Sequence, residues 1–290
     1  MDFLIALFTA FTVSIQSIIK RKYNDKVNNG LFLFCTISSA FACLFFIITA
    51  KDLSFRIEQL IMSVAFAVFY CASVITSFLA IKTGSLALTN LIISYSLLLP
   101  TFFGIIFLNE DAKSTLLLGI IVLAAALFMT NYQKKNAEAK TDSERPSLKW
   151  IILVLLAFFA NGMCSIVQNI ESRIYGDEGK SLFMIIALAC VSVFFAICTL
   201  LKKSERCQIR ENARSGWWLS ALCGIANGLT NFFVLYLLTK LPASVMFPII
   251  SAGGMIFVFI YSITVLKEKY TLVQKIGYAL GVLSIILLNL

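Results

Sequence analysis

The 290-residue sequence contains no histidine. It therefore lacks the side chain most used as a general base near neutral pH and as a metal-binding imidazole. Acidic residues are few as well, 15 against 24 lysines and arginines. They form no central pair inside an apolar stretch, so an intramembrane enzyme would have neither paired acids nor an activated nucleophile to work with. Eight cysteines are present, and only Cys207 falls in a loop. None has a metal-ligand or disulfide-framework spacing, so they read as small packing residues. No catalysis, no cofactor and no metal are expected.

Charge is scarce too, at 13% of residues, whereas 60% are hydrophobic and the mean hydropathy is +0.91. A soluble domain with a water-facing surface is excluded. A helix needs roughly 20 apolar residues to cross about 30 Å of hydrocarbon, and ten such stretches occur, at 3–19, 31–50, 60–81, 86–108, 116–132, 150–170, 182–201, 217–239, 244–266 and 273–290. Their continuity, without period-two alternation, excludes barrel strands. The first stretch is not a signal peptide, because its basic cluster Lys20-Arg21-Lys22 follows the apolar run and no small-residue cleavage site is present. The expectation is an all-α integral membrane protein of the cell membrane with ten transmembrane helices.

In a soluble chain a net charge of +9 would point to nucleic acid. Here the basic residues sit in short loops, so the bilayer is the expected partner and nucleic acid is not. The loops after the first, third, fifth, seventh and ninth stretches carry 18 Lys and Arg, counting from Lys20, and the opposite loops carry 6. The bias puts the first set in the cytoplasm and both termini outside.

A hairpin occurs twice. Shifting the chain by 158 positions superimposes Leu79 on Leu237, Lys82 on Lys240, Ile92 on Ile250, Leu108 on Leu266, Glu110 on Glu268, Gly119 on Gly277 and Asn131 on Asn289. The one long polar stretch, Gln133 to Ser147 with Pro146 near its end, separates two groups of five apolar stretches. The division is a first repeat at 1–132, a linker at 133–148 and a second repeat at 149–290. Five is odd, so the second group enters the membrane from the opposite face, and the halves are expected to be inverted repeats.

Polar residues inside lipid are costly unless they face a partner or water, so their helical spacing is informative. Thr9, Thr12, Gln16 and Lys20 form one stripe, and Asn161, Ser165, Gln168 and Glu171 form another. The third stretch offers Tyr70, Ser73 and Ser77, the eighth Asn227, Thr230 and Asn231. The fourth has Thr89, Asn90, Ser94 and Tyr95 before Pro100, and the ninth has Pro248, Ser251, Gly253 and Gly254. From these, Gln16, Tyr70, Ser73, Asn90, Ser94, Tyr95, Asn161, Gln168, Asn227, Asn231 and Ser251 are the candidate contacts to a small-molecule substrate. The alternative is interhelical hydrogen bonding. Glu110 and Glu268, at stretch ends beside lysines, are interface ion pairs or gate residues. Gly277-x-x-x-Gly281 marks close helix packing or, alternatively, a homodimer contact.

Ala80-Ile81-Lys82-Thr83-Gly84-Ser85-Leu86-Ala87, Phe247-Pro248, Val265-Leu266-Lys267-Glu268-Lys269-Tyr270-Thr271 and Gln274-Lys275-Ile276-Gly277 resemble the repeated signature of the EamA family in the drug/metabolite transporter superfamily. The glutamate followed nine positions later by glycine is its most specific part. The resemblance implies a central cavity between the halves, lined by the first, third, fourth, sixth, eighth and ninth helices. It also implies export of small metabolites, amino acids or drugs by alternating access. It further implies cytoplasmic termini, opposite to the loop charges. The small multidrug resistance branch carries an acid within its first helix, and residues 3–19 contain none, so that mechanism does not carry over. With amides, hydroxyls and rings as the candidates, the expected substrate is a small neutral or zwitterionic metabolite such as an amino acid. A broad drug exporter and a non-transporting structural membrane protein are the alternatives.

Overall fold

The computed structural model describes residues 2–27, 29–50, 56–107, 115–130, 147–176, 178–241 and 243–287. Among them every regular element is helical. The helices are α1 (Asp2–Lys26), α2 (Leu31–Thr49), α3 (Ile57–Thr83), α4 (Leu86–Ser94), α5 (Leu98–Phe107), α6 (Thr115–Thr130), α7 (Leu148–Tyr175), α8 (Lys180–Leu201), the single turn α9 (Lys203–Arg206), α10 (Ile209–Leu238), α11 (Ala243–Thr264) and α12 (Leu272–Leu287). A 3₁₀ turn, Tyr95–Leu97, joins α4 to α5. Among the described residues, six helices, α1, α2, α3, α7, α8 and α10, are long and apolar enough to cross a membrane, and shorter apolar helical segments run over Leu86–Pro100, Ile249–Thr264 and Leu272–Ser284. Leu108-Asn109-Glu110, Asn131, Asn289 and nearly all of the linker expected at 133–148 lie outside the described residues.

The outer surface is apolar. Ile48, Ile61, Val68, Phe159, Ile197 and Leu201 are all more than half exposed, whereas Thr9, Ser63, Thr89 and Ser220 are fully buried. This inversion of a soluble protein is what lipid demands, since hydrocarbon offers polar groups no hydrogen-bond partner. The chain is a multi-pass membrane protein.

The expected fourth helix is interrupted, and Pro100 explains where. Proline has no N–H to donate to the Ser96 carbonyl, and its ring crowds that carbonyl. The preceding turn tightens: the Leu98 N–H reaches back to the Tyr95 carbonyl, and the Ser94 carbonyl accepts the Ser251 hydroxyl of α11 at 2.8 Å. Side-chain caps start the flanking helices, with Ser85 Oγ accepting the Leu88 N–H at 3.4 Å and Ser147 Oγ the Trp150 N–H at 3.2 Å.

Packing is reciprocal between the first and last five stretches. α1 lies against α10 and α11, while α7 lies against α3 and against α4 and α5. α2 packs on α10 as α8 packs on α3, and α2 meets α8 as α6 meets α12. Small residues permit the close approaches. A Cβ on Gly224 of α10 would stand 2.3 Å from the Ser38 carbonyl of α2. At Gly281 it would stand 2.8 Å from the Tyr95 hydroxyl, so this glycine serves a contact within the chain.

Two ends of the bundle differ. At one, Arg21 donates to the Ile81 carbonyl at 2.9 Å, Lys22 lies over the Tyr261 ring and Lys26 over Trp218. The α1–α2 and α3–α4 loops, the start of α10 and the end of α11 are thereby gathered together. A carboxylate ties this end together: Glu268 accepts hydrogen bonds from Ser262 at 2.7 Å, from Ser85 at 2.9 Å and from the Tyr270 hydroxyl. Burial, reinforced by Glu268, pushes the Tyr270 phenol above its ordinary value, so it remains a donor.

Candidate functional site

Between α1, α3, α4, α7, α10 and α11 lies a cavity of about 200 Å³. Gln16, Tyr70, Ser73, Asn90, Ser94, Asn161, Gln168, Asn227, Asn231 and Ser251 all line it. Tyr95 does not. It is buried among Leu91, Met255 and Tyr278, because one residue turns the helix by about 100° and Ser94 already faces the space. Thr89 also turns away and accepts the Trp150 indole N–H at 3.1 Å.

The helical stripes decide which polar groups converge. Gln168 donates to Asn231 Oδ1 at 2.9 Å, and Asn231 donates to Asn227 Oδ1 at 3.2 Å. Asn227 donates to Gln16 Oε1 at 3.1 Å, and Gln16 donates to the Thr230 hydroxyl at 2.8 Å. Thr230 then donates to the Ala226 carbonyl at 2.8 Å. Every link points the same way, so the relay joins α7, α10 and α1 along one wall. Such aligned bonds polarise one another. Two further bonds tie α7 and α1 to the fourth stretch: Asn161 donates to Ser96 Oγ at 2.7 Å, and Ser17 donates to Asn90 Oδ1 at 2.6 Å.

Two charged residues of the stripes part company. Lys20, counted above with the loop charges, lines the cavity. Its ammonium donates to Ser77 Oγ at 3.3 Å. Glu171 is fully buried outside the lining, where Gln59 of α3 donates to it at 3.3 Å and to the Glu178 carbonyl at 3.1 Å. Sequence reasoning gave no role to Gln59, which lies at the first turn of α3 and just ahead of the apolar stretch. Nor did it find the apolar lining of Phe66, Val74, Ile93, Phe247, Ile250 and Val258. In a membrane helix apolar residues occupy every face, and no periodicity marks the ones that turn inward.

Chemically the lining offers amides, hydroxyls and aromatic rings. The relay also makes a measurable energetic statement. In a double-mutant cycle of Gln16→Leu and Asn227→Leu, measured by unfolding in mixed micelles, a coupling of about 0.6 kcal/mol and no more than about 1.7 kcal/mol is expected. Strict additivity would contradict the Gln16–Asn227 link.

Residues 148–290 match the EamA-like transporter family. The fold as a whole is similar to that of a solved crystal structure, described only as that of a protein, with a TM-score of 0.68 and 14% identity over 99% of this chain and 95% of the other. At that identity the likeness concerns fold alone. No curated protein matches the chain. The second half of the chain, residues 148–290, thus carries the pattern of the EamA-like transporter family of the drug/metabolite transporter superfamily.

Proposed function

We propose that the protein is a secondary transporter of the cell membrane that exports a small neutral or zwitterionic metabolite, such as an amino acid, by alternating access. One observation carries the reading: both halves of the chain contribute polar side chains to one cavity at their junction. Transporters built of repeats hold substrate at such a junction and rock one half against the other. The reciprocal packing of α1–α10 with α3–α7 supports treating 1–132 and 149–290 as inverted five-helix repeats joined by the linker. A purely structural role would leave the stripes paired face to face with no space between them, and the space is the reason for preferring transport. The aromatic lining of Phe66, Tyr70 and Phe247 favours a broad drug exporter as the second reading.

The basic end of the bundle is assigned to the cytoplasm and both termini to the outside, following the loop charges. A cysteine placed at Ser204, in a background without accessible thiols, should resist an impermeant maleimide added to intact cells. Labelling there would reverse the orientation.

Substrate class is tested by counterflow in liposomes with panels of amino acids, sugar phosphates and quaternary cations. Exchange of amino acids is expected. An ion at the bilayer centre without a partner costs at least roughly 2.5 to 3.5 kcal/mol, so preference for multiply charged phosphates would contradict the reading. Preference for quaternary cations would favour the drug exporter.

A further inference from the structure

Among the described residues, Lys20 is the one Lys or Arg that lines the cavity, and no Asp or Glu lines it. The other basic residues of its helix turn are engaged elsewhere. Arg21 is held by the Ile81 carbonyl and by Asp25 at 3.5 Å, while Lys22 and Lys26 rest on aromatic rings at the end of the bundle. Glu205, another carboxylate of this end, is taken up by Lys202 at 3.0 Å and by the Phe32 and Leu33 N–H groups. An ammonium has three N–H donors, and the structure gives Lys20 a single, long bond to Ser77 Oγ. Two donors remain on a half-buried cation that adjoins the empty space.

A carboxylate here would be met by Lys20 itself. Ser17, one turn earlier, gives its hydroxyl proton to Asn90 Oδ1, and Ser77, across from it on α3, gives its own to the Val74 carbonyl, so the donors left for an anion are the remaining N–H groups of Lys20. A carboxylate entering this corner would gain a charge-assisted hydrogen bond, which is shorter and stronger than a neutral one. It would also cancel a charge that is otherwise expensive at membrane depth. A phosphate dianion would find only one cation here, and an organic cation would meet like charge. Asn161 and Ser165, farther along the cavity, supply oxygen acceptors for an ammonium group on the same molecule.

We propose that Lys20 anchors the carboxylate of the transported molecule, so that the substrates are small molecules with one free carboxylate, including zwitterionic amino acids. This rests on the transport reading given above. The step is binding alone, with no covalent change.

The test uses purified full-length protein in liposomes. Counterflow is measured with L-amino acids, their methyl esters, the corresponding decarboxylated amines and a sugar phosphate, and the same compounds are tested for thermal stabilisation in detergent. Wild type should exchange, and be stabilised by, at least one free acid, with at least tenfold weaker response to its ester and amine. Lys20→Met should raise the half-saturation concentration of that acid at least tenfold while retaining the wild-type melting temperature, and Lys20→Arg should recover part of the loss. Equal exchange of acid and ester by wild type would overturn the anchor and leave transport standing, and this arm needs no variant to fold. Unchanged half-saturation in folded Lys20→Met would do the same. If wild type neither exchanges nor is stabilised by any of the compounds, the transport reading falls and the anchor with it.

Discussion

Hydrocarbon cannot hydrogen-bond, and the arrangement of this chain follows from that single constraint. A helix satisfies its own backbone, so apolar side chains can face outward in every direction, as Ile61, Phe159 and Leu201 do. Polar side chains must find a partner in one another, in enclosed space or in their own helix. Serines and threonines can bond back to their own helix, as Thr9 does to the Ile5 carbonyl at 2.7 Å and Ser39 to Cys35 at 2.6 Å. The amides have too many donors and acceptors for that solution. Gln16, Asn161, Gln168, Asn227 and Asn231 are therefore drawn to one interior, and the interior is where the two halves meet.

Much of this could be read from residue order, because spacing at three and four positions fixes which side chains share a face. The stripe through Asn161, Ser165 and Gln168 and the cluster Asn227, Thr230, Asn231 reach the cavity as their periods require. Where the reading failed, a tertiary contact intervened. Tyr95 and Ser94 are adjacent, so one had to turn away, and only packing against Tyr278 and Gly281 decides which. Glu171 belongs to the right stripe but lies beyond the cavity, because Gln59 and the loop before α8 close over it. Lys20 reads both as a member of the α1 stripe and as a loop charge; α1 continues to Lys26, and the stripe is the reading that matches its place in the lining.

The broken fourth helix links covalent constraint to the site. Pro100 shifts the hydrogen-bond pattern of the preceding turn, and the consequence is a Ser94 carbonyl tied to Ser251 and a Ser96 hydroxyl tied to Asn161. The turn thus joins α11 and α7 beside the cavity. At the basic end, Glu268 holds Ser85, Ser262 and Tyr270 together and so couples the start of α4 to the loop after α11. A rocking motion between halves would have to open contacts of this kind.

The central claim is that the space between the halves is the route of the transported molecule. It is tested most directly by placing one cysteine at Asn161 in a chain whose eight native cysteines have been replaced, and by following counterflow in liposomes. A bulky methanethiosulfonate reagent should abolish exchange, and saturating substrate should slow the modification. Complete modification of Asn161→Cys with exchange unchanged would contradict the account.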